Sequence, residues 1–310
     1  MKIAFVFPGQ GSQSIGMLDA WADNAAVKDV VSRASDALGQ DLAALVAGGP
    51  AEELNLTTNT QPVMLTAGVA VYRAWLDAGG LPPALVAGHS LGEYSALAAA
   101  GALSLEDAVR LVRVRADAMQ AAVPVGAGGM AAVLGLDDDI VRAVCAKAAQ
   151  GEIVEAVNFN APAQVVIAGH KSAVERACEL AKAEGAKRAL MLSVSAPFHS
   201  SLLKPAAAVL EGALAGIDLA SPRIPLINNV DVQSPSEPGA IKDALVRQAW
   251  HPVRWVETLN AMKEQGVTHV VECGPGKVLA GLTKRIDRDL VGLAITDPAS
   301  LQAALDTLQG

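Results

Sequence analysis

Ala84-Leu85-Val86-Ala87-Gly88-His89-Ser90-Leu91-Gly92 carries a short apolar run into a G-x-S-x-G turn, and an Ala-rich helical stretch follows. A strand that passes into a helix through such a turn is a nucleophile elbow. Its glycines clear room for a strained backbone that thrusts the serine hydroxyl outward, while the first helical N–H groups point at whatever Ser90 attacks. The chemistry this serves is acyl transfer. The pentapeptide alone also arises by chance, so the rest of the chain has to decide.

Outward from the elbow, apolar runs at residues 3–7, 85–87, 224–227 and 267–271 alternate with long helical patterns of period 3.6. That alternation predicts a parallel α/β sheet. Between residues 128 and 194 the order changes to strand 129–136, helix 138–149, strand 153–159, strand 164–168, helix 171–183 and strand 188–194. This is the β-α-β-β-α-β order of a ferredoxin-like unit. Its way in is the glycine-rich Pro124-Val125-Gly126-Ala127-Gly128-Gly129 and its way out is Ser195-Ala196-Pro197. The expected architecture is α/β: a large α/β-hydrolase-like domain over 1–125 and 198–310, with a small ferredoxin-like domain over 126–197 inserted into it. Ligand sites favour the cleft between two such units.

Composition narrows the classes. With 310 residues, 52% hydrophobic and 18% charged, the chain can bury one large core or two unequal ones. The apolar start before Pro8-Gly9 is shorter than the roughly 7–15 apolar residues of a secretory signal, and no stretch reaches the roughly 18 of a membrane span. A net charge of −8 argues against nucleic acid as a partner. Cys145, Cys178 and Cys273 are odd in number and far apart, so they offer no disulfide framework and no metal spacing. They read as buried, structural thiols in a reducing cytoplasm.

A serine needs a base, and five histidines are present. His89 adjoins Ser90 but points elsewhere in an elbow and reads as support for the turn. His170 reads as a helix cap or surface residue, His269 as a core histidine in a strand, and His251 stands before Pro252 in a loop. His199, in Ala196-Pro197-Phe198-His199-Ser200, stands where the chain re-enters the large domain beside the cleft and is the strongest candidate. Phe7-Pro8-Gly9-Gln10-Gly11-Ser12-Gln13 ends the first strand, where α/β sheets place their sites. It lacks the third glycine of a dinucleotide fingerprint, and Gly274-Pro275-Gly276-Lys277-Val278 lacks the first glycine and the Ser/Thr of a phosphate loop. The latter reads as a turn that starts the last helices. On a helical wheel of residues 105–122, Leu105, Ala108, Val109, Val112, Ala116 and Met119 make one apolar stripe, and Arg115 lies on the side that should be buried. Arg115 is either paired or snorkelling for structural reasons, or a guanidinium waiting for a substrate anion.

FVFPGQGSQ at 5–13, GHSLGEYSALAAAG at 88–101, LVRVRADAMQ at 111–120, NFNAPAQVVIAG at 158–169, APFHS at 196–200, NNVD at 228–231, LVRQAWHPVRW at 245–255 and ECGPGKVLAGLTKRI at 272–286 together resemble the malonyl-CoA:acyl carrier protein transacylase family, in its order and over essentially the whole chain. The resemblance implies a two-step transferase in fatty-acid synthesis, with malonyl-CoA and acyl carrier protein as partners and the coenzyme A thioester as substrate rather than cofactor. No metal, nucleic acid or membrane enters. It implies that Ser90 is acylated, that His199 is its base, and that Gln10 with the Leu91 N–H forms the oxyanion hole. Arg115 would hold the malonyl carboxylate, and Gln248 would orient His199 through its main-chain carbonyl, without the acid of a serine triad. Phe198 resembles the malonyl-preferring members. Two other readings compete. G-x-S-x-G also marks serine esterases and thioesterases, whose order would be Ser, acid, His with the histidine late in the chain, and a non-enzymatic scaffold would bind carrier protein or nucleotide through the glycine-rich loop. Lys277, Lys284 and Arg288, spaced by seven and four, would share a helix face for docking an acidic carrier protein, or be a merely solvated face.

Overall fold

The apolar runs at the first strand and before the elbow lie side by side in parallel, Phe5 opposite Val86 and Phe7 opposite Gly88. The computed structural model describes residues 1–309. Its strands are β1 (Ile3–Phe7), β2 (Leu85–Gly88), β3 (Gly128–Leu134), β4 (Val154–Ala161), β5 (Gln164–His170), β6 (Arg188–Met191), β7 (Leu226–Ile227), β8 (His269–Cys273) and β9 (Val291–Ile295). The larger sheet is wholly parallel in the order β7-β2-β1-β8-β9. Parallel strands need both faces covered, and the helix Thr57–Asp77, buried along most of its length, packs Tyr72 and Trp75 edge-on against Phe5 at 5.8 and 5.2 Å.

The second sheet is antiparallel, β4-β5-β3-β6, with the helices Asp138–Ala149 and Lys171–Ala183 on it. That is the ferredoxin-like arrangement, and it has its own core of Val133, Val144, Phe159, Ile167 and Val174 among others. The way in and the way out meet, because Pro197 packs directly over Gly128. The two sheets are also braced to each other. The Val253 N–H donates to Val157 O and the Phe159 N–H to Val253 O, at 2.8 and 3.0 Å, which covers the free edge of β4. Glu155 accepts from the N–H and hydroxyl of Ser201. The cleft between the sheets is therefore a held geometry.

Several expectations need correction. β9 was not anticipated: Val291–Ile295 is a short, half-exposed edge strand interrupted by Gly292, so neither alternation nor a fully apolar run marks it. β8 begins at His269 rather than 267, β7 keeps only two residues, and β6 stops at Met191, three short of 194. His269 thus stands at the half-exposed start of β8, with Nδ1 2.9 Å from the Thr268 hydroxyl, and is not a core residue. Gly274 to Lys277 does form the turn before the helix Val278–Ile286. The N-terminal Ala280 N–H is taken at 2.8 Å by the buried Glu272 carboxylate, which would repel a phosphate there. That helix ends at Ile286, so Lys277 precedes it and Arg288 follows it. The three cations are exposed as expected but do not share one helical face.

Candidate active site

β2 ends at Gly88, and the helix Gly92–Ala99 begins two residues after Ser90. A methyl on Gly88 would lie 1.9 Å from the Gly92 main chain, and one on Gly92 would lie 2.0 Å from the Phe7 carbonyl oxygen. Only glycine closes this turn. Ser90 itself sits at φ +53°, in the left-handed region, which costs about 1–3 kcal/mol and persists only where surroundings impose it. Here the Ser90 N–H donates to Asn229 Oδ1 at 2.7 Å, and the Ser90 carbonyl accepts from Gln248 Nε2 at 2.9 Å. His89 turns away to Asn160 Oδ1 at 2.7 Å and packs on Trp255, supporting the turn as expected.

His199 meets the serine. Its Nε2 lies 2.7 Å from Ser90 Oγ, and its Nδ1 lies 2.8 Å from the main-chain oxygen of Gln248. A carbonyl only accepts, so Nδ1 carries the proton and Nε2 is left to accept from the hydroxyl. Among the described residues no carboxylate bonds to His199, so a peptide carbonyl orients the imidazole and the acid of an esterase triad is missing. Burial, reinforced by the Arg115 charge, pushes the His199 pKa down to about 3. The ring is therefore neutral, as a base must be.

Arg115 is 2% exposed, on the buried side of the helix Leu105–Ala121 as its phase required. Nη1 donates to Gln61 Oε1 at 2.7 Å, while Nη2 donates to Gln248 Oε1 at 3.0 Å and to Ser90 Oγ at 3.1 Å. Every one of these acceptors is neutral, and Nε has no partner among the described residues. Burial lowers the guanidinium's pKa, but an arginine stays cationic in proteins. The site thus holds a desolvated cation beside the nucleophile without a carboxylate bonded to it.

A cavity of about 280 Å³ opens over Ser90. Gln10, Leu91 and Arg115 line it from the large sheet's side, and Met130, Val166 and Leu192 from the small one, with Phe198 between. The main-chain N–H groups of Gln10 and Leu91 donate to no acceptor among the described residues, and the Gln10 side-chain oxygen is taken by Thr57 Oγ1 at 2.7 Å. His251 stacks on Trp250, and His170 stands at the N-cap of its helix as expected, though its Nδ1 accepts the Ile153 N–H and makes no side-chain cap bond. Neither reaches the cavity. All six expected site residues, Ser90, His199, Gln10, Leu91, Gln248 and Arg115, surround one point.

Three residues escaped the sequence reading. Gln61 holds Arg115, Asn229 holds the Ser90 backbone, and the buried Glu93 accepts from both Asn229 and Gln248. Asn229 had a signal, since it follows β7 at the carboxyl edge of a parallel sheet. Gln61 had another, a run of polar residues opening an otherwise apolar helix.

The depressed His199 pKa has a thermodynamic consequence. An unfolded histidine binds a proton near pH ~6.5, while folded His199 refuses it until about 3. The stability is therefore complete above the unfolded value and drains as pH falls toward the folded one. Urea melts of His199→Gln at several pH values should show a smaller acid loss than the parent. Parallel curves would remove His199 as a source of acid lability.

No helix of the described residues is long and apolar enough to cross a membrane. Residues 4–293 match the family model of the acyl transferase domain. A malonyl CoA-acyl carrier protein transacylase of Salmonella typhimurium is 56% identical over 98% of this chain and 99% of its own. The crystal structure of an acyl-carrier-protein S-malonyltransferase from Burkholderia pseudomallei is 68% identical, covers 99% of this chain and 100% of its own, and superposes with a TM-score of 0.97. Another solved structure, 52% identical with a TM-score of 0.98 over 99% of this chain and 100% of its own, shows a type II PKS acyl-carrier protein in complex with its malonyl-transacylase.

Proposed function

The chain belongs to the malonyl-CoA:acyl carrier protein transacylase family, and on that premise we infer that it moves malonyl from coenzyme A to the phosphopantetheine thiol of an acyl carrier protein through a malonyl-Ser90 ester. The observation that carries this reading is the buried Arg115 guanidinium, 3.1 Å from the nucleophilic oxygen and bonded only to neutral groups. A malonyl carboxylate offers it the two-point ionic partner that Gln61 and Gln248 do not.

The chemistry follows from the bonds present. His199 Nε2 takes the hydroxyl proton as Ser90 Oγ attacks the thioester carbonyl, and the new imidazolium is steadied by the Gln248 carbonyl on Nδ1. Gln10 and the Leu91 N–H receive the oxyanion. Collapse breaks the carbon–sulfur bond, and His199 hands its proton to the departing coenzyme A thiolate. The second half reverses the roles: the carrier thiol gives its proton to His199, its sulfur attacks the malonyl ester, and Ser90 leaves and is reprotonated. No cofactor or metal is needed in this scheme. Three buried, unpaired cysteines support a reducing, cytoplasmic setting.

Steady-state rates with malonyl-CoA and carrier protein varied together should give parallel double-reciprocal lines, the mark of two half-reactions sharing one covalent intermediate. Malonate release that is fast without any thiol acceptor would instead place the chain with the hydrolases. Intersecting lines would mean direct transfer without malonyl-Ser90.

A further inference from the structure

Glu93 is a carboxylate that these acyl-transfer steps leave unused. It lies on the first turn of the helix Gly92–Ala99 and is 1% exposed. Its Oε2 accepts from two donors, the Asn229 main-chain N–H at 2.9 Å and Gln248 Nε2 at 3.0 Å. It makes no hydrogen bond to Arg115 among the described residues, so it is not simply that cation's ion-pair partner.

The two residues it grips hold everything else. Asn229 takes the Ser90 N–H on Oδ1 and donates Nδ2 to Gly88 O at 2.7 Å, pinning the elbow. Gln248 touches three groups besides Glu93: Nε2 donates to Ser90 O, Oε1 accepts from Arg115, and the main-chain oxygen orients His199. A glutamine amide has one donating and one accepting end. An ionised carboxylate only accepts and a guanidinium only donates, so between Glu93 and Arg115 the Gln248 amide has a single satisfied orientation. Flipping it would set two acceptors face to face on one side and two donors on the other. In a buried network a mispaired amide costs far more than in water.

We propose that Glu93 is a positioning residue: as a carboxylate it fixes the sense of the Gln248 amide and the Asn229 backbone, and through them the mutual alignment of Ser90, His199 and Arg115. A neutral group at this position removes the acceptor-only constraint and loosens all three. Burial pushes the Glu93 carboxyl up to about 7, against the opposing pull of the Asn229 and Gln248 hydrogen bonds and the Arg115 charge. Of the other charged groups facing it, Asp231 is doubly bonded to Arg247, and Tyr94 on its own helix is raised far above neutrality. His199, in the loop before the helix Lys204–Ala215, is already neutral. Glu93 is therefore the group that changes charge near neutrality beneath the dyad, and alignment is lost as pH falls through that range.

This inference rests on the acyl-transfer reading, and single-turnover malonylation of Ser90, followed by rapid quench on either side of neutrality, separates the two. Absence of malonyl-Ser90 in the parent would sink that reading itself. With acylation intact, the parent rate should decline as pH falls through about 7. Glu93→Gln should lose this limb and stay near the low-pH level throughout, about 10- to 100-fold below the parent at high pH, an alignment cost of the size a disrupted buried network carries. Glu93→Asp keeps the charge and should keep the limb. A packing role alone would lower rates without erasing a pH limb. Glu93→Gln acylating at the parental rate with the parental limb would overturn the proposal. Should Glu93→Gln fail to fold, a carbon-13 carboxyl titration of the parent decides, with a glutamate titrating in step with the rate supporting the proposal and no carboxyl titrating near neutrality overturning it.

Discussion

Ser90→Ala should incorporate no malonyl from malonyl-CoA, and His199→Ala should acylate several orders of magnitude more slowly while both variants keep the parental fold. The nucleophile cannot be replaced, because Ser90 Oγ is the hydroxyl held 2.7 Å from the His199 base. General-base help is worth about 10²–10⁴ in rate, and among the described residues His199 Nε2, 2.7 Å away, is the group bonded to Ser90 Oγ that can accept its proton. Removing either member of a unit costs nearly as much as removing both, so the double variant should be scarcely worse than Ser90→Ala. Radiolabel retained on protein after denaturation reads this directly. Malonyl label retained by Ser90→Ala would place the acyl group elsewhere. Ser90→Ala should change stability little: the bonds that hold this position at φ +53° are made by its main chain, so alanine inherits both them and the strain.

Arg115→Ala should cost malonyl transfer roughly 10²-fold or more and spare acetyl transfer. A charge-assisted hydrogen bond is worth about 1.5–3 kcal/mol, and a carboxylate engaging two guanidinium nitrogens loses two of them. Acetyl groups have no carboxylate to hold. With the cation gone, the apolar part of the cavity should accept them equally well or better, so the malonyl-to-acetyl ratio of kcat/KM falls by about the same factor. The variant also leaves Gln61 Oε1 and Gln248 Oε1 without their donor, which costs some stability but acts on both substrates alike. The ratio is therefore the quantity to measure. Equal losses for malonyl and acetyl would make Arg115 a purely structural cation.

How much of this was legible in the sequence depended on the range over which each residue's role is decided. Ser90 was readable because an elbow is local: strand, two glycines and helix lie within a dozen residues. Arg115 was readable because helical phase is local too, and a charge on the apolar side of a wheel announces itself. The ferredoxin-like order was readable from periodicity alone, since its strands and helices are long relative to their turns. His199 could be nominated only by its place where the chain re-enters the large unit. Gln248 came through the family resemblance, because a main-chain carbonyl leaves no trace in residue type. Gln61, Asn229 and Glu93 were missed for one reason. Each is a polar side chain bonded to site residues 54 to 155 positions away in the chain, and period-based reading cannot see across such distances. β9 and the ends of β6 and β8 were lost at edges, where half-exposure blurs the pattern. Lys277 and Arg288 were placed on a shared face by extending a helix past Ile286, where the chain in fact turns.

The central claim is a malonyl ester on Ser90 that passes to a thiol. Intact-mass measurement of the chain after brief mixing with malonyl-CoA, with peptide mapping of the adduct, tests it most directly. The account predicts one malonyl per chain, located on Ser90, stable in buffer over the measurement and discharged on adding pantetheine or holo acyl carrier protein. An adduct that drains to water at the same rate with or without the thiol, or one that maps to another residue, would contradict it.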